Sequence, residues 1–291
     1  WVVPKPELAV PITAQRILAR APALLAFLAW ACFLLQELVL GMALVGSVLA
    51  RPIHAAFTLA ARLHLRRSVP NPALRAALLP SYEIGCKRIL LSNSFYTSLT
   101  LPNVELVRGS VVDVRARSIV LSGPGSSTNL PVVEKHVDLI VYATGFDMWT
   151  PPFPILGRQG RTLCPDDTTV FLGTMAQGFP NFFMLLGPNT GIGHTSQILL
   201  IEAQVRYIVS CMDLVLRHPS AVNALELRAE TGHRFEGFLE KRLSRTVWRK
   251  GGCNGAYINP RTGKVDIIWP ALVLEYMFRT RSASPDHYTF I

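Results

Sequence analysis

Cysteine is sparse in this chain of 291 residues: Cys32, Cys86, Cys164, Cys211 and Cys253 are odd in number, scattered, and form no C-x-x-C pair. That spacing argues against a disulfide framework and a zinc knuckle and points to a reducing compartment. Charge is scarce too. Charged residues make up 16% of the chain, where about a quarter is usual, and half the residues are hydrophobic. A disordered chain, polar and charge-rich, is excluded. The chain has no internal repeat, no low-complexity tract and no G-x-S-x-G elbow of a serine hydrolase. Trp1-Val2-Val3-Pro4 reads as the end of a strand and suggests a start inside a larger protein, and a secretory signal is not expected.

The charge that is present is lopsided. Lys plus Arg is 29 and Asp plus Glu 19, a net +10. Such an excess implies an anionic partner: nucleic acid, a phosphate-bearing cofactor or an acidic lipid surface. The basic residues are dispersed and no recognised nucleic-acid module is present, so nucleic acid is disfavoured.

Residues 21–50 carry one charged residue, Glu37. Two apolar runs flank Gln36-Glu37, each shorter than the roughly 20 residues of a spanning helix. They read as a pair of buried or interfacial helices; a membrane-dipping hairpin and a true span are the alternatives. Arg51, Arg62, Arg66 and Arg67 follow, which suits an anionic leaflet or a solvated helix face equally.

Beyond residue 70 strands and helices alternate. A short helix is expected at 73–79, strands at 88–91, 104–107, 111–114 and 118–121, and a strand covered on both faces at 137–142. Residues 182–186 read as a further strand and 195–217 as the clearest helix, with Arg206, Ser210, Asp213 and Arg217 on its solvated face. A strand at 224–227, a polar helix at 230–246, a strand at 265–269 and a helix at 272–278 complete an α/β chain.

Two stretches carry chemical signals. In Gly187-Pro188-Asn189-Thr190-Gly191-Ile192-Gly193-His194 a glycine-rich turn joins a strand to a helix, with Thr195 or Ser196 as N-cap. Glycines allow close backbone approach, and the amides at the helix start favour an anionic or carbonyl-bearing ligand. An ordinary strand-to-helix connection reads the same way, and the third glycine of a pyrophosphate loop is missing. The second stretch is Val141-Tyr142-Ala143-Thr144-Gly145-Phe146-Asp147, a strand ending in small residues.

Together these stretches resemble the class B flavoprotein monooxygenases, which include the flavin-containing and Baeyer–Villiger monooxygenases. Residues 141–146 are similar to the family's A-T-G crossover motif, and 178–194 to the segment that follows it. Ile201-Glu202-Ala203-Gln204, Val247-Trp248, Gly251-Gly252-Cys253 and Trp269-Pro270 continue the likeness in family order.

The resemblance implies FAD and NADPH as cofactors. It also implies formation of a C4a-peroxyflavin, and oxygenation of a ketone or of a soft nitrogen or sulfur centre in a small organic substrate by O2. Gly85-Cys86-Lys87-Arg88 resembles the Lys-Arg pair of Baeyer–Villiger enzymes. By that likeness Arg88 is the catalytic residue, stabilising the peroxyflavin anion as an always-protonated guanidinium can. Lys87 would hold the NADPH 2′-phosphate. Ala143, Thr144, Gly145, Asn189, Thr190, Gly191 and His194 are the further cofactor-binding candidates; His194 reads equally as a residue that steadies the loop. Trp248 and Trp269 read as core or pocket walls, Asp147 as an anchor of the crossover loop, and Arg249 and Lys250 as a solvated pair. No metal site is expected.

The family's two G-x-G-x-x-G loops are absent from this chain, as is the Baeyer–Villiger fingerprint. The expected fold is therefore α/β: a partial flavoprotein of two dinucleotide-binding domains, each Rossmann-like and incomplete, with a helical insertion. Residues 1–86 would be the end of the NADPH-domain region with the apolar insertion. Residues 87–143 would be the remaining NADPH-domain strands and crossover, and 144–291 the C-terminal part of the FAD domain. Alone, such a fragment is expected to be inactive. The competing expectation is a non-catalytic, membrane-associated fragment, attached through residues 21–50, against a cytoplasmic location for the enzyme. A flavoprotein disulfide reductase is disfavoured for want of a redox cysteine pair.

Overall fold

A computed structural model describes residues 1–5, 10–46, 50–122, 133–145, 153–164 and 166–291. They form two compact units, residues 1–92 with 149–291, and residues 93–148.

The larger unit opens with β1 (Val2–Val3). The helices α1 (Ile12–Arg20) and α2 (Pro22–Gln36) follow, with Pro22 at the first helical position, where its missing N–H costs nothing. The chain then runs without a break through a π-helical turn, Glu37–Gly41, into α3 (Met42–Leu44). Residues 22–44 are thus one helix rather than the expected pair, because Gln36-Glu37 keeps helical dihedrals throughout. By length and composition alone this helix could cross a membrane. Its halves differ: Leu24, Leu25, Phe27 and Trp30 face outward, whereas Glu37, Gly41 and Ala43 are buried.

The long helix α4 (Ala50–Ser68) packs Ala61 against Val3 and Ile84. Helix α5 (Pro72–Leu78) is capped by Asn71, whose Oδ1 accepts from the amides of Ala73 and Leu74 at 2.9 and 3.2 Å. Strand β2 (Leu90–Leu91) pairs in parallel with β1, Val2 opposite Leu90. It is exposed, not buried as the apolar run suggested, because β1 is its sole partner strand among the described residues.

The smaller unit holds α6 (Phe95–Ser98) and an antiparallel meander of β3 (Ser110–Val114), β4 (Ser118–Ser122) and β5 (Val133–His136). Central β4 buries Ser118 and Val120, and Ser118 Oγ donates to Glu134 at 2.5 Å. Residues 104–107 form no strand, and neither do 137–142. Leu139, Val141 and Tyr142 are about four-fifths exposed (80%, 78% and 80%). A strand covered on both faces needs ladder partners on either side, and among the described residues none pairs with this run.

The chain re-enters the larger unit through the hairpin β6 (Val170–Phe171) and β7 (Met175–Ala176). Residues 182–186 follow as irregular backbone with a single bridge from Phe183 to Met175. Helix α7 (Gln197–Leu216) buries Leu200, Ala203, Gln204, Tyr207 and Cys211, one face at helical spacing. After β8 (Leu225–Leu227) come α8 (Ala229–Leu243), α9 (Val247–Lys250), α10 (Val273–Arg279) and β9 (Tyr288–Phe290), which closes on β8. The main core lies between α7, α8 and α10. There Met175, Tyr207, Phe235, Trp269, Tyr276 and Tyr288 meet, and Trp269 Nε1 donates to the Leu272 carbonyl at 3.0 Å.

Candidate functional site: a cavity between the Lys-Arg pair and the glycine-rich turn

Three segments of the larger unit build the site. The first is Gly85-Cys86-Lys87-Arg88, just ahead of β2. Gly85 has φ +90°, and a Cβ there would lie 2.7 Å from Leu44 Cδ2, so the position suits glycine alone. Cys86 forms a disulfide with Cys253, 167 residues away. The scattered spacing argues against a disulfide framework, yet one pair forms, because spacing along the chain says nothing of approach in space. Here the Glu83 amide donates to the Gly251 carbonyl at 2.9 Å and draws the two segments together. Gly251 is required at the crossing, since its Cβ would stand 2.9 Å from Cys86 Sγ.

Past the disulfide, the half-buried Lys87 places its ammonium 5.0 Å from the Tyr82 ring centre. The exposed Arg88 stands near Tyr257, where burial raises the phenol pKa and the Arg88 charge works against that rise. Among the described residues, neither Lys87 nor Arg88 forms an ion pair.

The second segment is the glycine-rich turn, and its side chains are committed to its own frame. Asn189 has φ +56°, and its Nδ2 donates to the carbonyls of Val265 and Ile268 at 3.1 Å each. Thr190 Oγ1 donates to Gly187 at 2.6 Å. The Asn189 and Gly191 amides donate to Asp266 and Ile267, and the Trp269 amide returns a bond to Gly191. Residues 265–269 thus line the turn as an irregular strand. A side chain at Gly191 would place Cβ 2.9 Å from the Ile267 carbonyl oxygen. Gln197 at the start of α7 closes the far side, donating to the Thr190 carbonyl and accepting from the Ile192 amide. Ser196 occupies the N-cap position without a side-chain cap bond.

The third segment is the π-helical turn. Glu37 is wholly buried; its Oε1 accepts from His194 Nε2 at 2.6 Å and its Oε2 from the Leu274 amide at 3.2 Å.

Lys87, Arg88, Gly193 and His194 converge on one cavity of about 310 Å³, walled by Phe57, Trp248 and Tyr257 and floored by Leu40, Ala43 and Leu44. Two cations without counter-ions among the described residues, a histidine and aromatic walls suit an anionic or phosphate-bearing ligand with a flat ring. Of the residues expected from sequence, this cavity gathers Lys87, Arg88, His194 and the wall residue Trp248. Asn189, Thr190 and Gly191 stand behind it as the turn's scaffold. Trp269 lies in the core, and Arg249 and Lys250 are exposed. Ala143, Thr144 and Gly145 are exposed in the smaller unit, Gly145 at φ +92°; Phe146 and Asp147 lie outside the described residues. Sequence reasoning missed Glu37 and Tyr257. The signal for Glu37 was present: a lone carboxylate in a long apolar run is stable only with a buried partner.

No family model matches the chain. A Baeyer–Villiger monooxygenase of Pseudomonas aeruginosa is 34% identical over 298 residues, covering 99% of this chain and 54% of that protein. One of Streptomyces coelicolor is 34% identical over 233 residues, 78% of this chain and 43% of that protein. The chain therefore spans about half the length of the curated relatives it matches. Among solved structures, a steroid monooxygenase bound to NADP superposes with a TM-score of 0.67 at 24% identity, over 82% of this chain and 46% of that one. A cyclohexanone monooxygenase of Rhodococcus sp. Phi1 bound to NADP+ gives 0.66 at 23%, over 82% and 45%. At that identity the structures speak for the fold, and the sequence relatives for the family. With the Lys-Arg pair and the glycine-rich turn brought to one cavity, the chain belongs to the class B flavoprotein monooxygenases, among relatives of the Baeyer–Villiger kind.

Proposed function

We propose that this chain is the C-terminal part of an NADPH- and FAD-dependent monooxygenase of the Baeyer–Villiger type. The observation that carries the reading is the cavity in which two cations, Lys87 and Arg88, meet His194 between aromatic walls. In such a reaction NADPH supplies two electrons, one atom of O2 enters a ketone beside its carbonyl, and the other leaves as water. Bound FAD would supply the oxygen-activating chemistry.

The chain's own residues bind and orient. Arg88 presents a fixed positive charge to negative charge that develops in the cavity, and Trp248 and Tyr257 keep that charge away from water. Lys87, held over Tyr82, offers a point charge for a phosphate. The amides of the glycine-rich turn and the small residues Ala143, Thr144 and Gly145 are the further contacts proposed for the cofactors. A ketone is favoured over a soft nitrogen or sulfur centre by the pairing of Lys87 with Arg88. Residues 87–143 fit the remainder of an NADPH domain, residues 144–291 that of an FAD domain, and 21–50 a helical insertion.

The test uses the full-length gene product, whose coding sequence should carry two G-x-G-x-x-G loops ahead of Trp1. Purified, it should contain FAD and consume NADPH in step with ester formation from a ketone. Arg88→Ala should lower that rate by roughly 100-fold at unchanged FAD content. Absence of flavin, or full activity of the variant, would overturn the reading.

A lipid-facing role for α2 is the second reading, favoured by the exposed Leu24, Phe27 and Trp30. Flotation of the chain with acidic vesicles, lost when residues 12–36 are removed, would support it; no flotation of the intact chain would end it.

A further inference from the structure

Glu37 and His194 form a buried carboxylate–imidazole pair to which the proposed function assigns no role. Glu37 and His194 lie 157 residues apart, yet their side chains are 0% and 3% exposed and joined at 2.6 Å. The carboxylate sits in the π-helical turn, where the widened winding carries Glu37 and Gly41 toward the site. Gly41 completes the fit. A Cβ at that position would fall 2.9 Å from His194 Nε2 and 3.3 Å from its Cδ2. The Nε2–Cδ2 edge of the ring therefore lies flush on the glycine backbone, with Glu37 at its end. Nδ1 is buried and has no hydrogen-bond partner among the described residues. The second carboxylate oxygen is taken by the Leu274 amide at the start of α10, so Glu37 is itself fixed in orientation.

We propose that Glu37 is a positioning residue for the cavity. It holds the proton of His194 on Nε2 and clamps the ring in the wall shared with Lys87 and Arg88. The inference rests on the monooxygenase reading for what is bound, but not for the clamp itself. A histidine oriented by a carboxylate through its other nitrogen has one tautomer and one ring pose. The helical segment of residues 22–44 then acts on the site in two ways, through Glu37 on His194 and through Leu40, Ala43 and Leu44 on the cavity floor. A carboxylate buried without such a partner would be costly, which accounts for the single charge in that run.

Two variants test this. Glu37→Leu removes the acceptor at similar volume, and Gly41→Ala leaves the charge in place but pushes the ring away. The first readout is the nitrogen-15 signature of His194 in this chain, assigned with His194→Gln. The native chain should show a single Nε2–H tautomer and a slowly exchanging imidazole proton. Both variants should show averaged tautomers and fast exchange, and Glu37→Gln, which keeps an acceptor oxygen, should restore part of the native signal. In the full-length flavin-loaded product the same variants should lose roughly tenfold in kcat, with KM for NADPH changed less than twofold.

A native tautomer signature retained in Glu37→Leu, or kcat unchanged in both variants, would overturn the proposal. If Glu37→Leu does not fold, Gly41→Ala carries the decision alone. Should the full-length product prove inactive while the tautomer signature responds as stated, the monooxygenase reading fails and the clamp stands.

Discussion

Two motifs of similar legibility in the sequence meet different fates in the structure. The turn from Gly187 to His194 is embedded: Thr190 is 1% exposed, and Asn189, Thr190 and Gly191 all bond to backbone within the turn or in residues 265–269. The stretch from Val141 to Gly145 is exposed, and a Cβ on Gly145 would meet nothing within 4 Å. Both are small-residue exits from apolar runs. The difference lies in their partners: the turn finds residues 265–269, while the other stretch finds no strand among the described residues. A motif specifies what a backbone can do; packing decides whether it does so.

The largest way to break this contrast is to cut the tie beside the Lys-Arg pair. The disulfide between Cys86 and Cys253 spans 167 residues, and a loop that long is worth up to about 5 kcal/mol in the chain-entropy view. Reduction, or Cys253→Ser, should lower the free energy of unfolding in urea by most of that amount, with a matching fall in the midpoint. It should also raise hydrogen exchange at residues 83–92 and leave residues 137–145 unchanged. An unchanged midpoint would mean that the Glu83–Gly251 crossing holds these segments without the bond.

Next comes Asn189→Ala. It strips donors from two carbonyls at once and puts alanine at φ +56°. Orphaned carbonyls cost about 1–3 kcal/mol apiece when dry, so a loss of roughly 3 kcal/mol is expected by chemical denaturation. Asn189→Gly, which relieves the backbone without restoring the bonds, should recover only part of it.

The core beneath the turn adds a pH signature. Burial raises the Tyr207, Tyr276 and Tyr288 phenols well above their ordinary range and lifts the Cys211 thiol to about 11. Such acids lose their protons more readily in the unfolded chain. The stability they contribute is complete below the unfolded values, near pH 9 for the thiol, and is lost as pH rises toward the folded ones. For Cys211 alone the loss between pH 9 and about 11 is up to roughly 3 kcal/mol. Denaturation midpoints should fall steeply over that range and stay flatter in Cys211→Ala.

Much of this was readable in advance. Helices α7, α8 and α10 are legible because their buried positions recur at helical spacing, and α5 because proline and the Asn71 cap mark its start. The Lys-Arg pair and the turn were found as motifs. What resisted reading depends on distant partners. The disulfide joins cysteines 167 residues apart. Glu37 meets His194 across 157. The runs at 88–91 and 137–142 read as buried strands by hydrophobicity, which reports that a segment can be covered, not that a cover is at hand.

The smallest effect is therefore also the most discriminating. Leu139 and Val141 are exposed in this chain, so changing both to serine should move its stability by no more than about 0.5 kcal/mol. If residues 137–142 form a central strand in the full-length gene product, as the family reading proposes, the same pair would be buried there. Each side chain would then be worth about 1.5–3 kcal/mol, and the double variant should fall by several. Equal, negligible effects in both contexts would remove the crossover strand from the proposed architecture. A loss confined to the longer protein would show that the exposed motif is one half of an interface, as complete in sequence as the turn and lacking only what it packs against.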